Sequence, residues 1–253
     1  MTVYEFYNEI SRLYPASLSS SWDNDGLMCC PDKNAPVKKV LVTLDATLEA
    51  IEYAKAGGFD TILTHHPLIF KGLKALNEDD VVGKRVLLAV TSHINVLSFH
   101  TRLDAGEGGV NDTLASLLEL TDVVPFGDSE DPTLGRIGKS RIFDADSFAK
   151  LIKEKTGVPS VFSYCSGPIS TVAVVGGGGG DFIRAAKACG ADTLVTGECR
   201  YNSALDAAED GMNIFVAGHY FTEMPVCQKL YSLAKEIAGA EAHIYTKVPE
   251  LTF

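Results

Sequence analysis

The sequence predicts an α/β protein with an internal duplication: two related α/β half-domains, each a mixed sheet covered by helices. Three observations predict it. Residues 51–64 (IEYAKAGGFDTILT) recur at 183–196 (IRAAKACGADTLVT), and eight of the fourteen positions match without gaps, where average residue usage gives about one by chance. Short apolar runs alternate with segments of helical period, the pattern of a sheet with helices on both faces. The chain has 253 residues, 46% of them hydrophobic, enough to bury one sizeable core or two smaller ones. The offset of 132 residues is far longer than a solenoid period, so the copies read as facing halves. The division expected from the repeat is 1–124 for the first half, 125–168 for a connector and 169–253 for the second half.

The elements follow in order. Val3, Phe6, Tyr7, Ile10 and Leu13 fall on one helical face, and Pro15 stops that helix. SSSWDNDGL is a polar loop. Val37–Leu44 reads as a buried strand, Thr47–Ala56 as a helix closed by Gly57-Gly58, and Thr61–Thr64 as the next strand, which together make a βαβ unit. Val81–Ala89 reads as helix and Asn95–Phe99 as strand, and Asn111 or Asp112 is placed to cap a helix through Leu114–Leu118. From Val124 to about Pro168 the echo fails, leaving turn signals and one helix near 146–156. The second half resumes with a strand at Val172–Val175, a glycine run at Gly176–Gly180, a helix over Asp181–Cys189, and strands at Thr193–Thr196 and Asn213–Ala217. The glycine run reads either as a permissive turn or as a phosphate cradle. It lacks the GKS or GKT of a Walker motif.

Composition narrows the function. With 22 Lys and Arg against 33 Asp and Glu, the net charge of -11 opposes non-specific binding to nucleic acid or to an anionic membrane. The first fifteen residues have neither signal-peptide nor transit-peptide character. No segment approaches the roughly 20 apolar residues of a membrane span. A cytoplasmic location is expected, and the six cysteines, with no CxxC pair among them, read as incidental reduced thiols.

The candidate site lies at the strand ends. The first copy of the repeat runs into His65-His66 and the second into Gly197-Glu198; each half then closes with a histidine and a carboxylate at i, i+4, His100 with Asp104 and His219 with Glu223. Open α/β sheets bind ligands beyond the carboxyl ends of their strands. Imidazoles mixed with carboxylates suit borderline divalent ions such as Zn, Mn, Fe, Co or Ni. Neighbouring histidines on a regular extended chain point in opposite directions, so His65 and His66 would each take one of two adjacent ions. His219 and Glu223 share one helical face, where the carboxylate can bridge two metals. His93 and His243 have no partner in the pattern and read as bystanders. Trp22 to Gly26 is either a self-stabilised turn or a pocket wall that stacks a base on Trp22. Arg102 is an anion-contact candidate, and Arg136 and Lys139 are lone basic residues.

These motifs carry a resemblance. SWDNDGL (21–27), THHPLIF (64–70), FHTRLDAGEGGVND (99–112), LGRIG (134–138), TGE (196–198) and GHYFTE (218–223) resemble, as a set and over the whole length, the NIF-three-like family, whose members are often called GTP cyclohydrolase 1 type 2 homologues. The resemblance implies a duplicated α/β fold, a dinuclear metal centre and a toroidal homohexamer. It implies His65, His66, Asp104, His219 and Glu223 as metal ligands, with His65 and Asp104 on one ion, His66 and His219 on the other, and Glu223 as the bridge. His100 lines the same pocket as a ligand or a base, so His100 and Glu223 are the catalytic candidates. Two cations roughly 3.5–4 Å apart activate water and polarise a substrate oxygen, which suits opening of a purine ring at C8 or in-line attack on a phosphoester. The expected substrate is a nucleotide or another phosphorylated small molecule. The alternative is a non-catalytic scaffold that stores metal or docks a protein, and nucleic-acid binding through the ring is the weakest of the three readings.

Overall fold

The first helix, α1 (Val3–Leu13), starts at a capping box: the Thr2 hydroxyl accepts the Glu5 N–H while the Glu5 carboxylate takes the Thr2 N–H. Val3, Phe6 and Ile10 form its buried face. The computed structural model describes residues 1–247. Next come β1 (Gly26–Cys29), β2 (Lys39–Thr43), α2 (Leu48–Ala56), β3 (Thr61–Thr64), α3 (Val81–Thr91), β4 (Asn95–Ser98) and α4 (Thr101–Ala105). They are followed by α5 (Val110–Leu117), β5 (Thr121–Phe126), β6 (Gly135–Lys139), α6 (Ala145–Thr156), β7 (Phe162–Tyr164) and β8 (Thr171–Val175). The chain ends with α7 (Ile183–Ala188), β9 (Thr193–Thr196), α8 (Tyr201–Glu209), β10 (Asn213–Val216), α9 (His219–Glu223), α10 (Cys227–Ala238) and β11 (Glu241–Ile244).

Two mixed sheets organise these elements. The first has the order β1-β4-β3-β2-β11, parallel except for β1. The second has the order β5-β6-β8-β9-β10-β7, with β8, β9 and β10 parallel and the outer strands antiparallel. In the second sheet Val172 and Val174 join one core with Phe148 and Phe215, while Ala173 and Val175 join another with Leu194 and Ile214. Apolar cores on both faces explain why β8 and β9 read as unbroken apolar runs.

The duplication is exact in register. Val40 pairs with Thr61 and Thr43 with Thr64 in the first sheet; Val172 pairs with Thr193 and Val175 with Thr196 in the second, every position shifted by the same 132. The matched residues do matched work. Asp60 takes the backbone N–H groups of Lys38 and Lys39, and Asp192 those of Ser170 and Thr171, so each aspartate ties two parallel strands together at their start. Gly58 and Gly190 both sit at positive φ, +67° and +85°, the left-handed turn that leads from helix to strand at least cost for glycine.

The chain divides elsewhere than at the boundaries expected from the repeat. One unit is Met1–Leu103 with the chain from Val226, the other Asp104–Pro225. The supposed connector supplies the end of β5 and all of β6 and β7, which hydrogen-bond into the second sheet, and α6, whose Phe148 and Ile152 lie in its core; the start of β5, residues 121–124, comes from the expected first half. At the other end β11 returns to pair with β2, which draws the tail into the first unit. Two local expectations also change. The cap of α5 is Gly109, and Asn111 and Asp112 lie inside the helix. The helix expected over Asp181–Cys189 begins as a 3-10 turn, Gly179–Phe182, before α7.

Candidate metal centre

In the first unit the parallel strands end in polar residues. Just past β3, the Thr64 hydroxyl donates to the carbonyl of His66 at 2.8 Å, which folds the chain back at the strand exit. That bend changes the expected geometry of the two histidines. The His66 N–H still reaches the Leu44 carbonyl at 3.0 Å, but the chain bends at His65-His66 and their rings do not diverge; the centroids are 4.9 Å apart. His100, one residue past Phe99 at the exit of β4, joins them, with ring centroids 5.2 Å from His65 and 5.5 Å from His66. Ligand nitrogens of all three lie within 4.8 Å of one another, so this cluster can hold a metal ion.

Their orientation is fixed by oxygen acceptors. The His65 Nδ1 lies 3.0 Å from the Phe99 carbonyl, His66 Nδ1 2.9 Å from Asp45 Oδ1, and His100 Nδ1 2.8 Å from Asp23 Oδ1. A carbonyl or carboxylate oxygen only accepts, so each Nδ1 carries the proton and each Nε2 keeps its lone pair. This is the outer shell that metal-binding histidines use. Asp23 also takes the Thr101 hydroxyl at 2.6 Å and the Thr101 N–H at 3.1 Å. Burial pushes the Asp23 carboxyl up, but the His100 imidazole and the Thr101 donors outweigh it and hold the group at about 2. A carboxyl depressed in the fold stabilises above its unfolded pKa, near 3.9, and that stability is lost as pH falls toward about 2. Metal-free protein should therefore lose on the order of 2 kcal/mol between pH 5 and pH 2 through this group. Acid unfolding of Asp23→Asn, compared with the parent, checks it: equal slopes over that range would refute the assignment.

In the second unit the same construction recurs. His219 Nδ1 lies 3.0 Å from Glu198 Oε1, and His219 Nε2 lies 3.0 Å from Glu223 Oε2 one turn along α9. Glu223 is buried at 4% exposure and Asp104 at 8%. The glycine run spends four of its five N–H groups internally, which argues against a phosphate cradle: Gly176 donates to Asn111 Oδ1, Gly177 to Thr222 Oγ1, Gly179 to Thr196 Oγ1 and Gly180 to the Glu198 carbonyl. A side chain at Gly177 would meet Glu223 and His219, so the glycines are there to let the backbone pass close to them.

The other basic candidates prove structural. Arg102 is 1% exposed and forms a two-pronged pair with Asp25, which leaves no prong for an external anion. Arg136, 3% exposed, is likewise committed to Asp112 and to the carbonyls of Ala105 and Thr133. Lys139 donates to Thr171. His243 stacks on Tyr53, and His93 turns the chain at positive φ. The cysteines form no disulfide among the described residues, and burial raises the thiols of Cys29, Cys30, Cys165 and Cys199, away from the thiolate form a nucleophile needs. Sequence reasoning missed the roles of Asp23, Asp45 and Glu198 as histidine holders. Glu198 had a signal, since the repeat aligns it with His66; Asp45, two residues past β2, had only its place at a strand end.

A profile of the family described as Duf34/NIF3 (NGG1p interacting factor 3) matches residues 1–249. The chain belongs to the Duf34/NIF3 family. Its relatives in Duf34/NIF3 include a Clostridium perfringens protein named GTP cyclohydrolase 1 type 2 homolog, 33% identical over 244 residues, covering 93% of this chain and 92% of the relative. A Schizosaccharomyces pombe protein named NIF3 homolog is 31% identical over 245 residues, covering 88% and 87%. The crystal structure of a Staphylococcus aureus protein superposes with a TM-score of 0.90 at 26% identity, covering 100% of this chain and 99% of that one. Among the described residues of this Duf34/NIF3 protein, no helix is long and apolar enough to cross a membrane.

Proposed function

We propose that this protein is a dinuclear metal-dependent hydrolase of nucleotides or other phosphorylated small molecules. His65, His66 and His219 would offer Nε2 to two divalent cations, Asp104 and Glu223 would offer carboxylates, and Glu223 would bridge. The observation that carries the reading is the shared orientation of the imidazoles: His65, His66, His100 and His219 each place Nδ1 on an oxygen acceptor, at 2.8–3.0 Å. Imidazoles anchored through Nδ1 and able to turn Nε2 toward a cation match the donors that an ion of the Zn, Mn, Fe, Co or Ni type takes, and His219 Nε2 already stands 3.0 Å from the Glu223 carboxylate. The cations, when bound, supply Lewis acidity and bring a water's pKa toward about 7. The chain's own residues do the rest. Asp23 holds His100 so that its Nε2 accepts a proton, and Asp104 and Glu223 offset the cations' charge. The names of the relatives favour a purine nucleotide as substrate, with ring opening at C8 as the reaction.

Elemental analysis of purified protein, followed by a screen of the metal-loaded sample against nucleotides and phosphoesters, tests this. About two cations per chain are expected. His65→Ala and Glu223→Ala should keep native circular dichroism while losing metal affinity by more than about a hundredfold, since even outer partners of a ligand are worth roughly 10–100-fold. Full metal in both variants would remove the centre. Two cations with no turnover on any compound would leave a metal-binding scaffold instead.

A further inference from the structure

The two halves differ in length between their second and third parallel strands. From Thr64 to Asn95 the chain takes 30 residues, and from Thr196 to Asn213 it takes 16. The surplus of fourteen matches the length of the irregular segment 67–80, which follows His66 and precedes α3. The second sheet closes without such a segment, so the β-α-β frame does not need it.

This segment and α3 line an open pocket of about 580 Å³ whose lining begins at Pro67, the residue after His66, and includes Phe70, Lys71, Lys74, Asp80 and Arg85. The size falls within the 300–1,000 Å³ usual for small-molecule sites. Its charge runs against the rest of the molecule. Three cations line it in a chain of net charge -11, and Asp80, the one lining carboxylate, is spent on the Gly83 N–H as the cap of α3. Glu78 and Asp79 on the same segment are exposed and do not line the pocket. Among the described residues Arg85 Nε is buried without a hydrogen-bond partner, and Lys71 and Lys74 make no ion pair. Beside the pocket stand two exposed aromatics. Trp22 (54% exposed) and Phe70 (46%) lie edge to face 6.0 Å apart, and they approach the His100 ring at 6.1 and 6.2 Å, again edge-on. The Asn24 side chain donates to the carbonyl of Ile69 and so ties the Trp22 loop to the Phe70 segment. Aromatic rings exposed to this degree expose apolar area to water that a planar partner would cover.

We propose that this is a nucleotide subsite: Trp22 and Phe70 receive the base next to His100, and Lys71, Lys74 and Arg85 take the phosphates. The proposal rests on the hydrolase reading above and names its substrate class as a nucleoside polyphosphate. Phe70 belongs to both parts, since it lines the cationic pocket and faces His100. A nucleotide laid across Phe70 would thus present its base to the histidines and its charge to the lysines.

Trp22 is the only tryptophan in the chain, so its emission reports on the base directly. In a titration of the full-length protein, GTP is expected to quench Trp22, with guanosine and inorganic triphosphate each binding at least about tenfold more weakly. The Lys71→Ala/Lys74→Ala double variant should weaken GTP roughly tenfold, the usual loss for charge-assisted bonds, and leave guanosine unchanged. Phe70→Ala should weaken GTP and guanosine alike, and both variants are at exposed loop positions that the core does not use. No quench at millimolar GTP, unchanged GTP affinity in the double variant, or inorganic triphosphate binding as tightly as GTP would each overturn the subsite. Metal content of the same sample reads the centre separately. Two cations per chain without a GTP response keep the centre and remove the subsite; a response in protein that holds no metal does the reverse.

Discussion

Asp25→Ala is expected to lose about 3–5 kcal/mol of unfolding free energy, the usual result of stripping one partner from a buried ion pair. Arg102 and Asp25 have side chains only 2% and 4% exposed. Their contact is two-pronged, Nε to Oδ2 at 2.8 Å and Nη2 to Oδ1 at 2.7 Å, with Nη1 on the Tyr14 carbonyl and the guanidinium 4.8 Å from the Phe99 ring. Burial pulls the Arg102 basicity down, and the Asp25 carboxylate more than reverses it. Arginine cannot shed its proton to escape, so without Asp25 a full charge stays in the interior. Asp25 Oδ2 also takes the His100 N–H at 3.0 Å, and the variant should loosen the histidine cluster as well. Urea unfolding followed by circular dichroism measures the loss. Adding Arg102→Met to Asp25→Ala removes the orphaned charge and should recover most of it, because an apolar replacement of a buried pair is often neutral or better. A single variant within 1 kcal/mol of the parent, or a double variant no more stable than the single, would contradict this account.

What the sequence made legible follows from periodicity and repetition. β3 and β9 have the bounds expected for them, Thr61–Thr64 and Thr193–Thr196, because a short apolar run between an aspartate and a polar turn leaves little choice of register. His65, His66 and His100 were found as a group because each follows a parallel strand. Long-range pairings carried no such signal. Asp23 reaches His100 across 77 residues of chain, and Asp45 reaches His66 across 21, and each reads locally as an ordinary turn former. The outer strands β5 and β7 are partly exposed, so they lack the unbroken apolar run of a central strand and were not expected as strands. The helical period of α10 was present in Cys227, Leu230, Leu233 and Ala234, but that β11 then returns to pair with β2 is a non-local choice. Arg102 and Arg136 show the reverse error. A basic residue inside a functional motif suggests an anion, yet both are spent on carboxylates of their own unit.

Gly177→Ala is expected to damage the candidate centre without replacing a candidate ligand. Gly177 sits at φ +60°, and a Cβ there would lie 2.1 Å from Glu223 Oε1 and 3.0 Å from His219 Nε2. The left-handed backbone alone costs an alanine roughly 1–2 kcal/mol. The overlap must also be relieved, and the backbone has little room to give: Gly177 donates to Thr222 Oγ1 at 3.1 Å and its carbonyl takes the Glu198 N–H at 2.7 Å. The Glu223 carboxylate must therefore turn, although it is buried at 4% exposure and the proposed bridge depends on its aim. The variant should lose about 2–4 kcal/mol of stability and weaken metal binding at the proposed centre. Gly178→Ala is the matched control one residue along. Its φ is -87° and nothing lies within 4 Å of the added Cβ, so it should be neutral or slightly stabilising. Metal analysis and thermal unfolding of the pair decide the matter. If Gly177→Ala keeps its metal and its stability, the glycines are not what makes room for Glu223 and the turn is merely permissive; if Gly178→Ala fails equally, the loop has a function that the packing around Glu223 does not explain.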